Sequence, residues 1–264
     1  RVHGYENIAA TPLPDWTAPV VVNKRFYYAE KIRANLEEVG FSEIYTNTFR
    51  KKGKVQMRNA LAQDKSFLRA VLRRGMEESL EQAAYNAELL GLDQVRVFEF
   101  GTVFTKEGEH ISFALGIKNP KKYKLKEADA IETIQKALEQ LLGVPIPFEI
   151  EGGIAEVDFT ALLEALPDPE RSDIYPRKMK ETKFAEISTY PFMLRDIAVW
   201  VPEKTSAADV EVLVVEHAGE WLVKTRLFDT FSKNGKTSYA FHLVFQSYEK
   251  TLTDDELNTV MATV

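Results

Sequence analysis

The chain contains no cysteine among its 264 residues, and it has only four histidines. Without cysteine there can be no disulfide framework, no thiolate metal site and no cysteine nucleophile. The histidines are scattered, and none has the H-x-x-x-H or H-E-x-x-H spacing of a metal-binding helix. The sequence therefore does not indicate a metal site.

Long apolar runs and phosphate-binding loops are also missing. No run approaches the roughly 20 apolar residues needed to span a bilayer, and the first residues show no signal-peptide pattern. We therefore expect a cytoplasmic protein. The G-x-x-x-x-G-K-[ST], G-x-G-x-x-G and G-x-S-x-G motifs are all absent, so neither a nucleotide loop nor a nucleophile elbow is indicated. We expect this chain to be non-catalytic.

The composition is that of a folded globular protein, with 45% apolar and 28% charged residues and a net charge of −6. Because the overall charge is negative, attraction to nucleic acid requires a local basic patch. Residues 50–74 carry nine basic side chains and one acidic one, Asp64. Two interpretations stay open for this segment, a solvated surface and a surface that faces the phosphates of RNA.

Apolar periodicity predicts an alternating series of helices and strands. Cap residues begin several helices, and Asn234-Gly235 is a strong hairpin signal. The predicted helices lie at residues 23–39, 66–90 with a break near Gly75, 127–142, 206–217 and from 253 onward; the predicted strands lie at 41–49, 95–104, 110–115, 195–201, 221–231 and 238–246. One further short element, of a type left open, is predicted at residues 157–166.

Proline and glycine residues interrupt the helices and strands and so divide the chain into segments. Residues 1–20 are predicted to form a linker, and a domain boundary is expected near residues 175–188. The final part has the order strand, helix, strand, strand, helix, which is one strand short of a ferredoxin-like sandwich. Since the first residue is not methionine and this strand is absent, we expect a piece of a longer chain.

The motifs along the chain, taken in order, resemble the bacterial-type phenylalanyl-tRNA synthetase β subunit. The resemblance begins with RVHGYENIAATPLP and continues through LEEVGFSEIYTNTF, SFLRAVLRRGMEESLEQAAYN and VRVFEFGTVF. It resumes with YPFMLRDIAVWV, LFDTFSKNGKTSYAFHLVFQS and TLTDDELNTVM. It covers nearly the whole chain, and the order and spacing of the motifs are more specific than any one of them.

The resemblance implies an α+β fold in three parts. Residues 1–20 would be a linker from a missing N-terminal domain. Residues 21–180 would be a non-catalytic core with a class II synthetase-like antiparallel sheet and flanking helices. Residues 188–264 would be a ferredoxin-fold (βαββα) anticodon-binding domain whose last strand is missing. No editing activity is assigned, because the resemblance places it in a domain that this sequence lacks.

The resemblance also implies partners. The chain would scaffold the catalytic α subunit of an α2β2 phenylalanine-tRNA ligase and bind the anticodon region of tRNA-Phe, with no membrane contact. ATP and Mg²⁺ are expected in the α subunit, and this chain is expected to bind no cofactor. The alternative is a protein-interaction module of synthetase ancestry that has no role with RNA.

One motif departs from the catalytic members of the class II synthetases. These enzymes hold the ATP phosphate with an Arg-x-Glu strand and a second arginine in a glycine-rich motif. Here the strand reads Arg96-Val97-Phe98-Glu99, which is one residue out of that spacing, and G-x-G-x-G is absent. Without both arginines the charge that develops on an adenylate has no partner. We therefore interpret Arg96 and Glu99 as structural.

The helix at residues 23–39 and the strand at residues 41–49 together resemble the class II dimerisation motif, which in the family packs against the α subunit. Tyr28, Ile32 and Leu36 can be interpreted either as subunit-interface residues or as part of this chain's own core. Both interpretations stay open at this point.

The candidate RNA site lies in the final domain. In a ferredoxin-like sheet the first and third strands are neighbours, so one open face would carry small residues on which a base can stack. Basic side chains nearby would hold phosphates. The open face would present Asp196, Ala198 and Trp200 beside Ser238, Ala240 and His242, with Lys233, Lys236 and Arg195 as the phosphate contacts. The alternative is a solvated face with one stray tryptophan, and the excess of acidic residues over residues 190–264 argues against RNA.

Overall fold

The computed structural model describes residues 4–12, 21–60, 62–119, 126–171, 173 and 183–264. The predicted linker over residues 1–20 and the boundary near residues 175–188 fall partly outside these ranges. The limits of the predicted domains therefore stay a prediction. Within the described ranges, no helix combines the length and the apolar character needed to cross a lipid bilayer.

The part of the chain before residue 174 contains helices α1–α5 and strands β1–β8. In chain order they are α1 Lys24–Glu38, β1 Ser42–Glu43, β2 Phe49–Arg50, β3 Val55–Gln56, β4 Phe67–Leu68, α2 Arg73–Tyr85, α3 Ala87–Leu90, β5 Val95–Phe104, β6 Glu109–Lys118, α4 Glu127–Leu142, β7 Glu149–Glu151, β8 Ile154–Asp158 and α5 Phe159–Ala165.

A five-stranded sheet organises this part, in the order β1-β5-β6-β8-β7. Its neighbours are antiparallel except for β1 and β5, which run parallel. Helices α1, α4 and α5 cover one face, where Phe98, Phe113 and Ile131 are fully buried. Helix α2 covers the other face through Met76 and Leu80, together with Leu72 just before the helix. The predicted α+β class, with a largely antiparallel sheet between helices, is confirmed.

Glycine allows α2 to pack closely on this sheet. A Cβ atom at Gly116 on β6 would lie 2.7 Å from the Sδ atom of Met76 and 2.8 Å from a methyl carbon of Leu80. Real Cβ atoms do not approach other atoms so closely, so with a larger residue at position 116 the buried side chains of Met76 and Leu80 would have to move. The glycine therefore leaves space for these two side chains of the helix against the sheet.

Two predictions between residues 41 and 90 are wrong. The expected strand at residues 41–49 is two short strands, β1 and β2, which belong to different sheets. The expected helix from residue 66 begins only at Arg73, because Phe67–Leu68 pairs as the central strand of a small sheet in the order β2-β4-β3. The helical segment is interrupted at Asn86, not at Gly75.

The short element predicted at residues 157–166 contains the end of a strand and a short helix. The segment begins as strand β8, which pairs with β6, and turns into α5 only at Phe159. Asp158 caps this helix, since its carboxylate accepts a hydrogen bond from the Ala161 backbone nitrogen at 2.9 Å. The side chains of Phe159 and Leu162 then enter the core.

The last part of the chain contains β9 Met193–Pro202, α6 Ala207–Ala218, β10 Leu222–Lys233, β11 Lys236–Phe245 and α7 Asp254–Met261. The sheet order is β10-β11-β9, so the first and third strands are neighbours, as predicted. Both helices pack on one face of the sheet, around Phe241, Phe245 and Leu257. The predicted order of a ferredoxin-like fold is confirmed over the described residues.

Local signals begin these helices as predicted. Asn23 caps α1, Ser206 caps α6 and Thr253 caps α7, the last two through reciprocal capping boxes. In α7 the boxed carboxylate belongs to Glu256. The ammonium group of Lys250 and the Thr253 backbone N–H lower the pKa of Glu256 from 4.5 to about 2. This carboxylate therefore keeps its negative charge to a lower pH than an ordinary glutamate, and the charge favours the helix N-terminus.

Candidate nucleic-acid interface

The open face of the β9–β11 pair has the register that the sequence predicts. Three cross-strand pairs lie along it, Trp200 with Ser238, Ala198 with Ala240 and Asp196 with His242. The intervening residues of both strands point to the helices, as Ile197 on β9 and Phe241 on β11 show. We call the face that carries these three pairs and the adjoining residues of β10 the sheet face.

The two ends of the sheet face differ in accessibility. Trp200 is 51% exposed, whereas His242 is only 5% exposed. The ring of Phe228 stacks on the imidazole with centroids 3.8 Å apart, and Nδ1 of His242 is hydrogen-bonded to the carboxylate of Asp196. His242 is therefore covered and cannot offer its ring to a base. Ala240 is also buried, at 9% exposure.

Strand β10 adds two aromatic side chains that sequence reasoning missed. Phe228 and Phe231 are 44% and 54% exposed, and the ring of Phe231 stands at 87° to Trp200 with centroids 6.0 Å apart. Residues three apart in a regular strand lie on opposite faces. An irregularity between Leu227 and Asp229 shifts the alternation, so that both phenylalanines fall on the sheet face.

The sheet face is thus an aromatic surface with small residues in its centre. Trp200 and Phe231 stand at one end, and Phe228 stands at the other end over His242. Ala198 and Ala240 form the pair between them. Half-exposed rings beside small residues are suited to stacking with unpaired bases.

The predicted phosphate contacts divide into two kinds. Lys233 and Lys236 pair with each other across the hairpin, are exposed, and flank a turn in which Asn234 and Gly235 have φ of 54° and 72°. Arg195 lies elsewhere, because odd-numbered residues of β9 face the helices. Its guanidinium binds the carboxylate of Asp254 in α7 at 2.6 Å, so this arginine is paired within the chain and away from the sheet face, and its role as a phosphate contact stays a prediction.

The far end of β10 carries a further arginine. Arg226 is paired with His242 in the strand register. Its guanidinium contacts Glu88 at 2.9 Å and Asp93 at 3.1 Å, next to α3. Its charge is already balanced, so among the basic residues discussed here the two hairpin lysines are the ones available to an anion beside the sheet face.

The residues considered for ATP binding and for the subunit interface have partners within the chain. Arg96 donates to the Gln94 side chain and to the carbonyl of Val39. Glu99 is 1% exposed and forms a buried ion pair with Arg69. These contacts agree with the structural interpretation of Arg96 and Glu99. No cluster of three or more metal-binding side chains is found in the described ranges.

The three candidate interface residues of α1 belong to this chain's own core. Ile32 and Leu36 are fully buried, and Tyr28 is 5% exposed, with its hydroxyl donating to the Pro167 carbonyl at 2.8 Å. The structure therefore agrees with the second of the two interpretations. An exposed apolar side chain at the start of the helix, Phe26, borders a groove of about 440 Å³.

Models of two protein families together match most of the chain. Residues 9–144 match the model of the phenylalanyl tRNA synthetase beta chain CLM domain. Residues 188–264, which contain the sheet face, match the model of the ferredoxin-fold anticodon binding domain. The two matches are consecutive and do not overlap.

Curated relatives show the same similarity at the level of sequence. The phenylalanine–tRNA ligase beta subunit of Bacillus licheniformis is 28% identical over 322 aligned positions, which cover 98% of this chain and 39% of the relative. The Bacillus cereus beta subunit is 26% identical and covers 100% and 40%. That of Pasteurella multocida is 41% identical over 83 residues, covering 30% and 10%. The chain thus spans about two fifths of the length of the Bacillus relatives.

Proposed function

Since this chain belongs to the phenylalanyl-tRNA synthetase β-chain family, we propose that it is a non-catalytic part of phenylalanine–tRNA ligase that binds tRNA-Phe and scaffolds an α subunit. The observation that carries the RNA role is the sheet face. Its half-exposed aromatic residues lie in the segment that matches the anticodon binding model. The proposed location is the cytoplasm.

The sheet face supports binding of unpaired anticodon bases. A base could stack on Trp200 or on Phe231, whose rings stand at 87° to each other, beside the small pair Ala198 and Ala240. The lysines at the hairpin tip, Lys233 and Lys236, are positioned for the adjoining phosphates. The domain has more acidic than basic side chains, so the affinity would come from stacking and local contacts, with little long-range attraction.

The chemistry of aminoacylation is assigned to the α subunit. In this chain the strand predicted to resemble an ATP-binding strand uses Glu99 in a buried ion pair, and Arg96 is held against Val39. Neither side chain is available to an adenylate. We therefore propose that ATP and Mg²⁺ bind in the α subunit and that this chain acts as a scaffold.

Substitution of the two exposed aromatics tests the RNA role. We expect Trp200→Ala and Phe231→Ala each to weaken tRNA-Phe binding by the αβ complex by about 1–3 kcal/mol, because each removes a stacking surface. Binding of a tRNA-Phe without its anticodon stem-loop should not change. The measurement is a titration of fluorescently labelled RNA followed by anisotropy.

Tyr248→Ala is the matched control, since Tyr248 is a 56% exposed aromatic of the same domain whose hydroxyl contacts the Glu186 carbonyl. Its affinity should equal that of the unmodified chain. If the Trp200 and Phe231 variants also bind normally, the RNA role is wrong, and the alternative of a protein-interaction module is favoured.

The scaffold role is tested at the exposed start of α1. We expect the chain to co-purify with a phenylalanyl-tRNA synthetase α subunit and Phe26→Asp to reduce the recovered complex by about tenfold, because a buried unpaired charge is costly. Val212→Asp, at a residue 65% exposed on α6, is the control for Phe26, which is 63% exposed. Recovery of the Phe26→Asp complex at the control level would show that this face is not the interface.

A further inference from the structure

A second surface with a different chemistry lies beside the small β2-β4-β3 sheet. We call it the basic groove; it is a cavity of about 880 Å³ between residues 47–54, 64–78 and Thr105. Seven basic and two acidic side chains line it, although the chain as a whole has a net charge of −6. The groove therefore concentrates positive charge on a protein that is otherwise acidic.

Two of these basic side chains already have buried or bidentate partners. Arg50 donates to both carboxylate oxygens of Glu78 at 3.1 and 2.9 Å, and Arg69 is paired with Glu99. The other five are exposed, and within the described part of the chain no carboxylate lies at ion-pair distance from them. They are Lys51, Lys52, Lys54, Lys65 and Arg74.

One carboxylate outside the groove, Glu107, lies near Lys54. A hydrogen bond from the Thr105 hydroxyl lowers the pKa of Glu107, and the nearby Lys54 ammonium lowers it further. Lys54 is thus near one acid, whereas Lys51 and Lys52 have no carboxylate at ion-pair distance among the described residues. The electrostatic preference of the groove is for an anion.

Glycine holds the lysine-rich turn against the sheet. A Cβ atom at Gly53 would lie 2.6 Å from the carbonyl oxygen of Leu68 and 2.9 Å from the Cβ atom of Phe67. Only a residue without a side chain allows this approach. The turn that carries Lys51, Lys52 and Lys54 therefore lies directly on β4, at a defined distance from the groove floor.

Apolar side chains are exposed among these charges. Phe49 is 45% exposed and Val71 is 42% exposed, and both line the groove. A compact anion such as inorganic phosphate would make no favourable contact with an exposed phenylalanine ring. Cations that follow a backbone, together with an aromatic ring on which a base can stack, are the features of sites for single-stranded nucleic acid.

We propose that the basic groove binds a single-stranded polynucleotide segment, with its phosphates toward the Lys51–Lys54 turn and one base against Phe49. This site shares no residue with the sheet face. It does not depend on the proposed anticodon contact, and either surface can function if the other does not.

The test measures binding of a labelled 12-nucleotide oligo(U) to the full chain over a range of salt concentrations. We expect the variant Lys51→Gln/Lys52→Gln/Lys54→Gln to bind at least about tenfold more weakly at low salt. The slope of log affinity against log salt should fall by about two, because each lost phosphate contact contributes about 0.7. Phe49→Leu, which keeps the apolar bulk, should weaken binding by about fivefold with an unchanged slope.

The control is Lys126→Gln/Lys136→Gln/Lys183→Gln, which removes the same charge at exposed positions outside the groove. Repeating the titrations in a Trp200→Ala/Phe231→Ala background separates the groove from the sheet face. Oligo(dU) shows whether the sugar matters. The proposal is overturned if the unmodified chain does not bind the oligonucleotide or if both triple variants lose the same affinity. It is also overturned if a poly-glutamate peptide binds the groove and the oligonucleotide does not.

Discussion

Replacing Arg69 with methionine is expected to lower the free energy of unfolding by about 3–5 kcal/mol. The guanidinium is 6% exposed, and its Nη1 atom lies 2.6 Å from a carboxylate oxygen of Glu99, which is itself 1% exposed. It also donates to the carbonyls of Thr46 and Thr102 at 3.0 and 2.9 Å. Methionine fills similar space but leaves a buried carboxylate without its cation. Equilibrium unfolding in urea, followed by circular dichroism, measures the loss.

A double-mutant cycle separates the ion pair from simple loss of packing. Arg69→Met/Glu99→Leu removes both charges, and it should recover part of the stability that Arg69→Met loses. Arg96→Met is the control, because Arg96 makes only peripheral contacts, and it should cost less than about 1 kcal/mol. A double variant whose loss equals the sum of the two single losses would show that the charges do not stabilise each other.

Replacing Glu156 is expected to have the second-largest effect. This carboxylate is 8% exposed and accepts hydrogen bonds from the backbone nitrogens of Leu72 and Arg73 at 2.8 and 3.0 Å and from the Ser112 hydroxyl at 2.7 Å. It thereby caps α2 from a strand more than 80 residues away. Glu156→Leu should cost about 3 kcal/mol, because buried donors lose their acceptor and the helix N-terminus loses a negative charge.

Glu156→Gln gives an intermediate result in the same unfolding experiment. The amide keeps one acceptor oxygen but has no charge, so about 1–2 kcal/mol should be lost. Glu132→Leu, at an exposed position on α4, should change stability by less than about 0.5 kcal/mol. Equal stability of the Glu132→Leu and Glu156→Leu variants would contradict the assigned capping role.

The C-terminal part of the fold was predictable because its signals are local. Ser206 and Thr253 each bond to a backbone nitrogen three residues ahead, and Asn234-Gly235 adopts the positive φ values that its turn needs. Such contacts depend on a few neighbouring residues. The order strand, helix, strand, strand, helix then predicted which strands are neighbours and which residues share the sheet face.

The region from Phe41 to Leu90 was less predictable because distant residues decide its structure. The apolar spacing after Ser66 fits a helix, but Phe67–Leu68 finds strand partners on both sides. The start of α2 is set by Glu156, and nothing near Leu72 in the sequence marks it. Tertiary contacts therefore override local propensity here.

For the candidate site, the strand register was predicted from the sequence, but the exposure of its side chains was not. Trp200 and the hairpin lysines lie where the alternation of side chains along a strand places them. Arg195 lies on the opposite face, and the same alternation would have predicted this from the sequence. The burial of His242 depends on Phe228, and this ring reaches the sheet face only through the bulge in β10. Strand periodicity alone cannot locate a bulge.

The basic groove also makes the charge distribution of the protein surface uneven. A polyanion far from a chain with net charge −6 meets a weak repulsion, which ions in solution screen beyond about 8–10 Å. At shorter range the exposed lysines of the groove attract the polyanion toward this side of the molecule before any contact forms. The uneven distribution of charge thus affects the direction from which the polyanion approaches. We expect it to change the association rate more than the affinity of the final complex.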